Sequence, residues 1–295
     1  MSNFVLSCCS TADLTKEHFE KRDIKYLCFH YTLDGKTYDD DLYQTISSDD
    51  FYAALKNGSD CSTSQVNISE YLDFFTSHLE QGKDILHVCI SSGISGSLNS
   101  ARNAASIAAE RFPDRKIYVV DSLAASSGFG LMMDKLADLR DDGMDIDQIY
   151  NWVEENKLRM HHWFFSTDLT FYVKGGRISK ASGWFGGILN ICPLLNVDFM
   201  GRLVPRHKAR GKKNVISETL KRMEMFAENG TDYNGKCYIC HSDSIEDATT
   251  LKNLIEAKFP KLCGEVEIYN IGTTIGCHSG PGTVAVFFWG EPRKD

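Results

Sequence analysis

Residues Ser91-Ser92-Gly93-Ile94-Ser95-Gly96-Ser97 put small hydroxyls and glycines directly after the apolar run 85–90 and directly before an alanine-rich segment. A strand that empties into such a loop and then into a helix gathers free backbone N–H groups, a helix dipole and hydroxyl donors in one place. That is the chemistry of an anion site. An anion is therefore expected near Ser95 and Gly96. A second hydroxyl-rich stretch, Cys61-Ser62-Thr63-Ser64-Gln65, is expected as a loop between two helices. His278, in the glycine-rich segment 272–283, could hydrogen-bond an anion, and Arg177, after Gly175-Gly176, could offer a guanidinium. Bland roles fit the same residues: serine and threonine cap helices, and arginine or histidine in glycine-rich loops is often a solvated turn residue.

Two sharper chemistries need an answer. Gly93-Ile94-Ser95-Gly96-Ser97 approximates the Gly-x-Ser-x-Gly turn of serine hydrolases, with His278 downstream in the order those enzymes use. Ser97 stands where the second glycine belongs, and no acid falls convincingly between. Hydrolysis of an acyl ester through Ser95 and His278 is the alternative to binding alone. Cys237-Tyr238-Ile239-Cys240-His241 has the spacing of c-type haem attachment. It reads as a strand, however, in which positions three apart face opposite sides, so both cysteines are expected in the core.

Composition narrows the classes. The 295 residues carry a net charge of −8 with lysine and arginine scattered, which argues against a nucleic-acid partner. No run approaches the roughly 18 apolar residues of an integral membrane segment. Met1–Leu6 lacks the charged and apolar regions of a signal peptide, so a cytoplasmic address is expected, with most of the ten cysteines as thiols.

The elements that must position these loops alternate. Strands are expected over 4–8, 24–32, 85–90 and 117–120, and helices over 15–22, 48–57, 69–81 and 97–112. Acidic Asp39-Asp40-Asp41 reads as a turn. Continuous apolar strands between helices imply a parallel sheet covered on both faces. Helices over 128–141 and 145–161 lead to a change of character near His161-His162-Trp163. Beyond it, strands are expected over 163–166, 203–206, 237–241, 266–271 and 283–289, with a helix over 214–229. The expected fold class is α/β in two domains: 1–162, with the anion-binding loops, and 163–295, with a mixed sheet.

Taken in series, several segments resemble the DegV family of bacterial fatty-acid-binding proteins. They are Ser10-Thr11-Ala12-Asp13-Leu14, Thr63-Ser64-Gln65, Ser91 through Ser100, Val120-Asp121-Ser122, Gly175-Gly176-Arg177-Ile178, Leu189 through Leu195 and His278-Ser279-Gly280-Pro281-Gly282. Cys9 and Val66 stand where that family usually has aspartate and proline. The resemblance implies a long-chain fatty acid in a tunnel between two domains. Its carboxylate would lie at Thr63, Ser64, Ser95, Gly96 and His278, with Arg177 near the head group or facing a kinase. The acyl tunnel would be lined by Phe185, Ile188, Leu189, Ile191 and Leu194. It further implies no catalysis and no cofactor in this chain. A separate ATP-dependent fatty acid kinase would convert the presented acid to acyl phosphate for phospholipid synthesis.

Overall fold

A computed structural model describes residues 4–179 and 190–294. The first elements in chain order are β1 (Phe4–Cys9), α1 (Lys16–Lys21), β2 (Lys25–Leu27), β3 (His30–Leu33), β4 (Lys36–Asp39), α2 (Ser48–Lys56), β5 (Cys61–Ser64) and α3 (Ile68–Leu79). Next come β6 (Asp84–Cys89), α4 (Ser97–Arg111), β7 (Ile117–Asp121), α5 (Ser126–Asp141) and α6 (Ile146–Asn156). The remainder holds β8 (Met160–Ser166), α7 (Thr170–Lys174), β9 (Ile191–Val197), β10 (Leu203–Arg210), α8 (Lys212–Phe226), β11 (Tyr238–His241), α9 (Ile245–Lys258), β12 (Glu267–Asn270), α10 (Thr273–Ser279) and β13 (Thr283–Trp289).

The described residues form an α/β fold with a parallel sheet, a mixed sheet and a small antiparallel sheet. The parallel sheet, in order β2-β1-β6-β7, is covered by α3 and α4 on one face and by α5 and α6 on the other. Its central strands β1 and β6 are mostly apolar because both of their faces are buried, with Ser7 and His87 as the buried polar exceptions. The mixed sheet runs β10-β9-β8-β13-β11-β12, with only the β11–β12 pair parallel. Helices α8 and α9 cover its outer face.

Helix α5 lies between the two large sheets, and its first eleven positions include ten buried residues or glycines for a direct reason. A Cβ at Gly128 would come within 2.5 Å of His162 on β8 and Phe287 on β13, and one at Gly130 would strike the Ala12 carbonyl on the other side. Two glycines one turn-half apart thus let a helix pack tightly against both neighbours.

The antiparallel sheet β4-β3-β5 corrects two expectations. The stretch 24–32 is two short strands in different sheets, because the chain leaves the parallel sheet after Leu27 and begins β3 at His30. The stretch 61–65 is the strand β5, paired with β3 so that Thr63 faces Tyr31 in register. Further on, segment 145–161 ends as helix at Asn156, and β8 already begins at Met160, because His161 and His162 pair with Phe288 and Phe287 of β13. The acidic turn is also revised: Asp40 is buried and accepts hydrogen bonds from Ser10 (3.0 Å) and Thr273 (2.8 Å).

Cysteine placement follows strand geometry. Cys237 packs in the outer cluster with Ile239, whereas Cys240 faces inward with Tyr238, so the haem-like spacing is split across the sheet. Cys61 and Cys277 form a disulfide. The other eight cysteines are free thiols, most of them buried.

Candidate functional site

The anion loop is built by the carboxyl ends of β6 and β7, where ligands of parallel α/β sheets sit. Asp121 ends β7, and one carboxylate oxygen accepts from the backbone N–H of Ser92 and of Leu123, each at 3.1 Å. Ser91 donates its hydroxyl to the Gly201 carbonyl (2.8 Å) in the β9–β10 turn and accepts from Gly93 N–H. The loop is therefore clamped from both sheets. Gly96 is the N-cap of α4, and Ser95 Oγ accepts the N–H of Ser97 at 3.2 Å. With a lone pair so occupied, the Ser95 hydroxyl proton is free to point away as a donor.

Ser97 is held in turn by a buried chain. Its Oγ lies 2.6 Å from Tyr71 OH, which lies 3.1 Å from Cys9 Sγ. Burial pushes the Cys9 thiol up to about 12, so it is a neutral group where a carboxylate would bring charge. His87 extends the network to Ser7 at 3.0 Å; burial lowers its pKa to about 3, so the ring is neutral.

Thr63, His278 and Arg177 meet across the chain. His278 sits in the last turn of α10, not in a loop as expected: the N–H of Gly276 bonds back to the Gly272 carbonyl, and residues 273–279 wind as a helix. Its Nε2 lies 2.8 Å from Thr63 Oγ1, and its Nδ1 lies 3.3 Å from Arg177 Nη1. These neighbours assign the tautomer. A guanidinium only donates, so Nδ1 accepts and the ring proton sits on Nε2, which donates to Thr63 Oγ1. The Thr63 hydroxyl proton is thereby released toward the cavity. Burial, then the charge of Arg177, lowers the His278 pKa to about 4. Arg177 is anchored by the carbonyls of Ile94 (3.2 Å) and Gly175 (2.7 Å).

These groups share one wall of a cavity of about 370 Å³, within the range of small-molecule sites. Thr63, Ser64, Ser95, Gly96, Arg177 and His278 all border it. Apolar residues make most of the remaining wall: Ile90 and Ile94 near the anion loop, and Phe164, Val197, Leu203 and Phe287 from the mixed sheet. Among the expected tunnel residues, Phe185, Ile188 and Leu189 lie outside the described residues. Leu194 is a correction. Side chains alternate along β9, so Leu194 packs outward with Val215 and Ile216 while Val197 reaches the cavity. Ile191, paired with Arg210 where β9 begins, does not line it either.

Several lining groups escaped the sequence reading. Ser126 borders the cavity with a left-handed backbone (φ 55°) and donates its hydroxyl to the buried Asp13. His162, on β8, accepts the Ala125 N–H at 3.2 Å through Nε2. The one available signal was Asp13 within Ser10-Thr11-Ala12-Asp13; nothing local ties it to a serine 113 residues away.

The arrangement gives the serine hydrolase alternative no support. Both ring nitrogens of His278 are engaged, by Thr63 and Arg177, and no hydrogen bond joins it to Ser95 among the described residues. A triad places a carboxylate beside the histidine to stabilise the imidazolium; here a guanidinium opposes it. Among the described residues no group of three or more His, Cys, Asp or Glu could hold a metal ion, and no helix is long and apolar enough to cross a membrane.

A cavity with oriented donors at one end and largely apolar walls, set between a parallel and a mixed sheet, gives this α/β fold a site whose chemistry suits a small amphipathic molecule. The chain belongs to the DegV family: the model described as "Uncharacterised protein, DegV family" matches residues 9–291. It is 37% identical over 294 residues to the DegV domain-containing protein CPE0026 of Clostridium perfringens, covering 100% of both chains. Among solved structures it is similar to a fatty-acid-binding DegV family protein from Thermus thermophilus (TM-score 0.85, 25% identity, 97% and 99% of the two chains). The fold is also that of the Streptococcus pneumoniae Fatty Acid Kinase B3 protein loaded with linoleic acid (TM-score 0.84, 21% identity, 99% and 100%).

Proposed function

We propose that this chain binds a long-chain fatty acid with its carboxylate at Thr63, Ser95 and the Gly96 end of α4. The observation that carries this reading is the directed chain Arg177–His278–Thr63, which leaves a neutral hydroxyl donor facing a cavity with largely apolar walls. Each buried methylene contributes about 0.8 kcal/mol, so roughly ten supply about 8 kcal/mol before ordering costs. Hydroxyls and a helix N-terminus offset the desolvation of the carboxylate without fixing it in a tight ion pair. The division of the chain at 162/163 belongs to the same proposal, with Arg177 and His278 brought to the polar end from the second part.

The chain acts as a carrier in the cytoplasm, without chemistry or cofactor of its own. It presents the acid to a separate ATP-dependent kinase that forms the acyl phosphate for phospholipid synthesis. The support for this partner is the kinase name of the Streptococcus pneumoniae relative in fold. A carboxylate held by hydroxyls rather than by a guanidinium keeps its nucleophilicity toward ATP. The test is organic extraction of purified protein followed by mass spectrometry. Intact fatty acid near one equivalent is the expected result, and protein that neither carries nor takes up fatty acid overturns the reading.

A further inference from the structure

Thr63 and His278 are held in register by more than their hydrogen bond. Cys61, two residues before Thr63 on β5, is bonded to Cys277, the residue immediately before His278 on α10, and their Cα atoms are 5.5 Å apart. That separation is the usual one for a disulfide. The elements joined are slight. Strand β5 has four residues and, among the described residues, pairs with β3 alone at the edge of the small sheet, and α10 has seven residues. Cys277 packs in a small cluster with Tyr31, Phe51 and Tyr52, separate from the large cores. Short elements with small cores are the parts of a protein that open locally. The first turn of α10 is anchored by Thr273 on Asp40; its last turn meets β5 through one side-chain hydrogen bond of about 1 kcal/mol, and the covalent tie beside it adds most of what keeps Thr63 and His278 in register.

We infer that Cys61–Cys277 is a reversible thiol–disulfide latch on the polar end of the cavity. When oxidised it holds Thr63 against His278; when reduced it loosens the contact between β5 and the last turn of α10 and speeds exchange of the ligand. Cys61 is half-buried and Cys277 buried, so attack falls on Cys61. A thiolate of a dithiol reductant bonds to Cys61 Sγ and expels Cys277 sulfur, which takes a proton. The second thiol of the reductant then displaces Cys61, which is protonated in turn. The protein gains two electrons and two protons, and the reductant leaves as a disulfide. Closure is the reverse, with a small-molecule disulfide as electron acceptor. In a reducing compartment the resting form is the dithiol, and oxidising conditions close the latch.

The identity of the ligand rests on the fatty-acid reading; the latch does not. The experiment uses the full chain, oxidised with a small disulfide or treated with dithiothreitol, with the bridge verified by mass after thiol alkylation. Release of a fluorescent polyene fatty acid is expected to be on the order of tenfold faster from the reduced form. Cys61→Ser and Cys277→Ser should both release at the reduced rate and ignore reductant. Equal rates in the two verified forms, or a Cys61→Ser protein that still responds to reductant, overturn the latch. So does failure of the bridge to form under oxidant. The ¹⁵N resonances of the His278 ring give a ligand-free readout, expected to shift on reduction in the wild type alone. If neither form binds fatty acid, the proposed function fails, and the ring resonances still decide the latch.

Discussion

His278 Nε2 donates to Thr63 Oγ1 across 2.8 Å and 215 positions of sequence. Behind it Arg177 donates to Nδ1, so one cation fixes the direction of a whole hydrogen-bond chain without facing the ligand as its sole partner. Gly175 is required in this arrangement, since a Cβ there would collide with His278 Nδ1.

Thr63→Val removes the donor and leaves the Nε2–H of His278 without its acceptor. Fatty-acid affinity should fall by about 1–3 kcal/mol in a calorimetric titration, while Thr63→Ser stays close to wild type. Equal loss for a fatty alcohol would assign the effect to packing instead.

Ser95→Ala takes away the hydroxyl that the Ser97 N–H orients. A loss of roughly tenfold in carboxylate affinity is expected, with little change in unfolding midpoint because Ser95 is only partly buried. Unchanged affinity removes Ser95 from the site.

Tyr71→Phe cuts the link between Cys9 and Ser97 in a buried site. About 1–2 kcal/mol of stability should be lost in urea denaturation. Ser97 Oγ then lacks its fixed neighbour, so fatty-acid release should also quicken.

Acid should destabilise the fold in two stages. Half-buried His278 and buried His161, with pKa values lowered to about 4, stay neutral when folded, whereas unfolded histidine binds a proton near 6.5. The unfolded state therefore holds more protons between about pH 6.5 and 4, and stability falls with pH across that window, by on the order of 3 kcal/mol per histidine. Below it, Asp134 joins in. Burial alone would raise its pKa, but hydrogen bonds from His18 and Lys236 and the charges of Lys236 and Arg22 outweigh burial and lower it. Its contribution is present above the ordinary carboxylate pKa and is lost as the pH falls through the lowered one. Denaturation midpoints at pH 7, 5.5 and 4.5 check the first stage, and a flat profile would contradict it.

Asp134→Asn at neutral pH should cost about 3 kcal/mol, because Lys236, Tyr238 from β11 and His18 from α1 all converge on that carboxylate. Urea titration measures it directly.

The sequence alone determined what local physics controls. The apolar run before Ser91 and the alanine stripe after Ser97 dictate a buried strand, a loop and a close-packed helix, so the anion loop could be placed from residues 85–112. Alternation over the segment 237–241 likewise placed Cys237 and Cys240 on opposite faces. What only the tertiary structure decided are relationships between distant residues. β5 carries the polar residues Ser62 to Ser64 and has no apolar signal of its own; it becomes a strand because β3 offers it a partner. His278 acquires its tautomer from Arg177, and Asp40 its burial from Ser10 and Thr273. Cys61 finds Cys277 only because those same elements converge. Hydrogen bonds and disulfides between residues 200 positions apart leave no period in the sequence; they exist only after the sheets have brought the loops together.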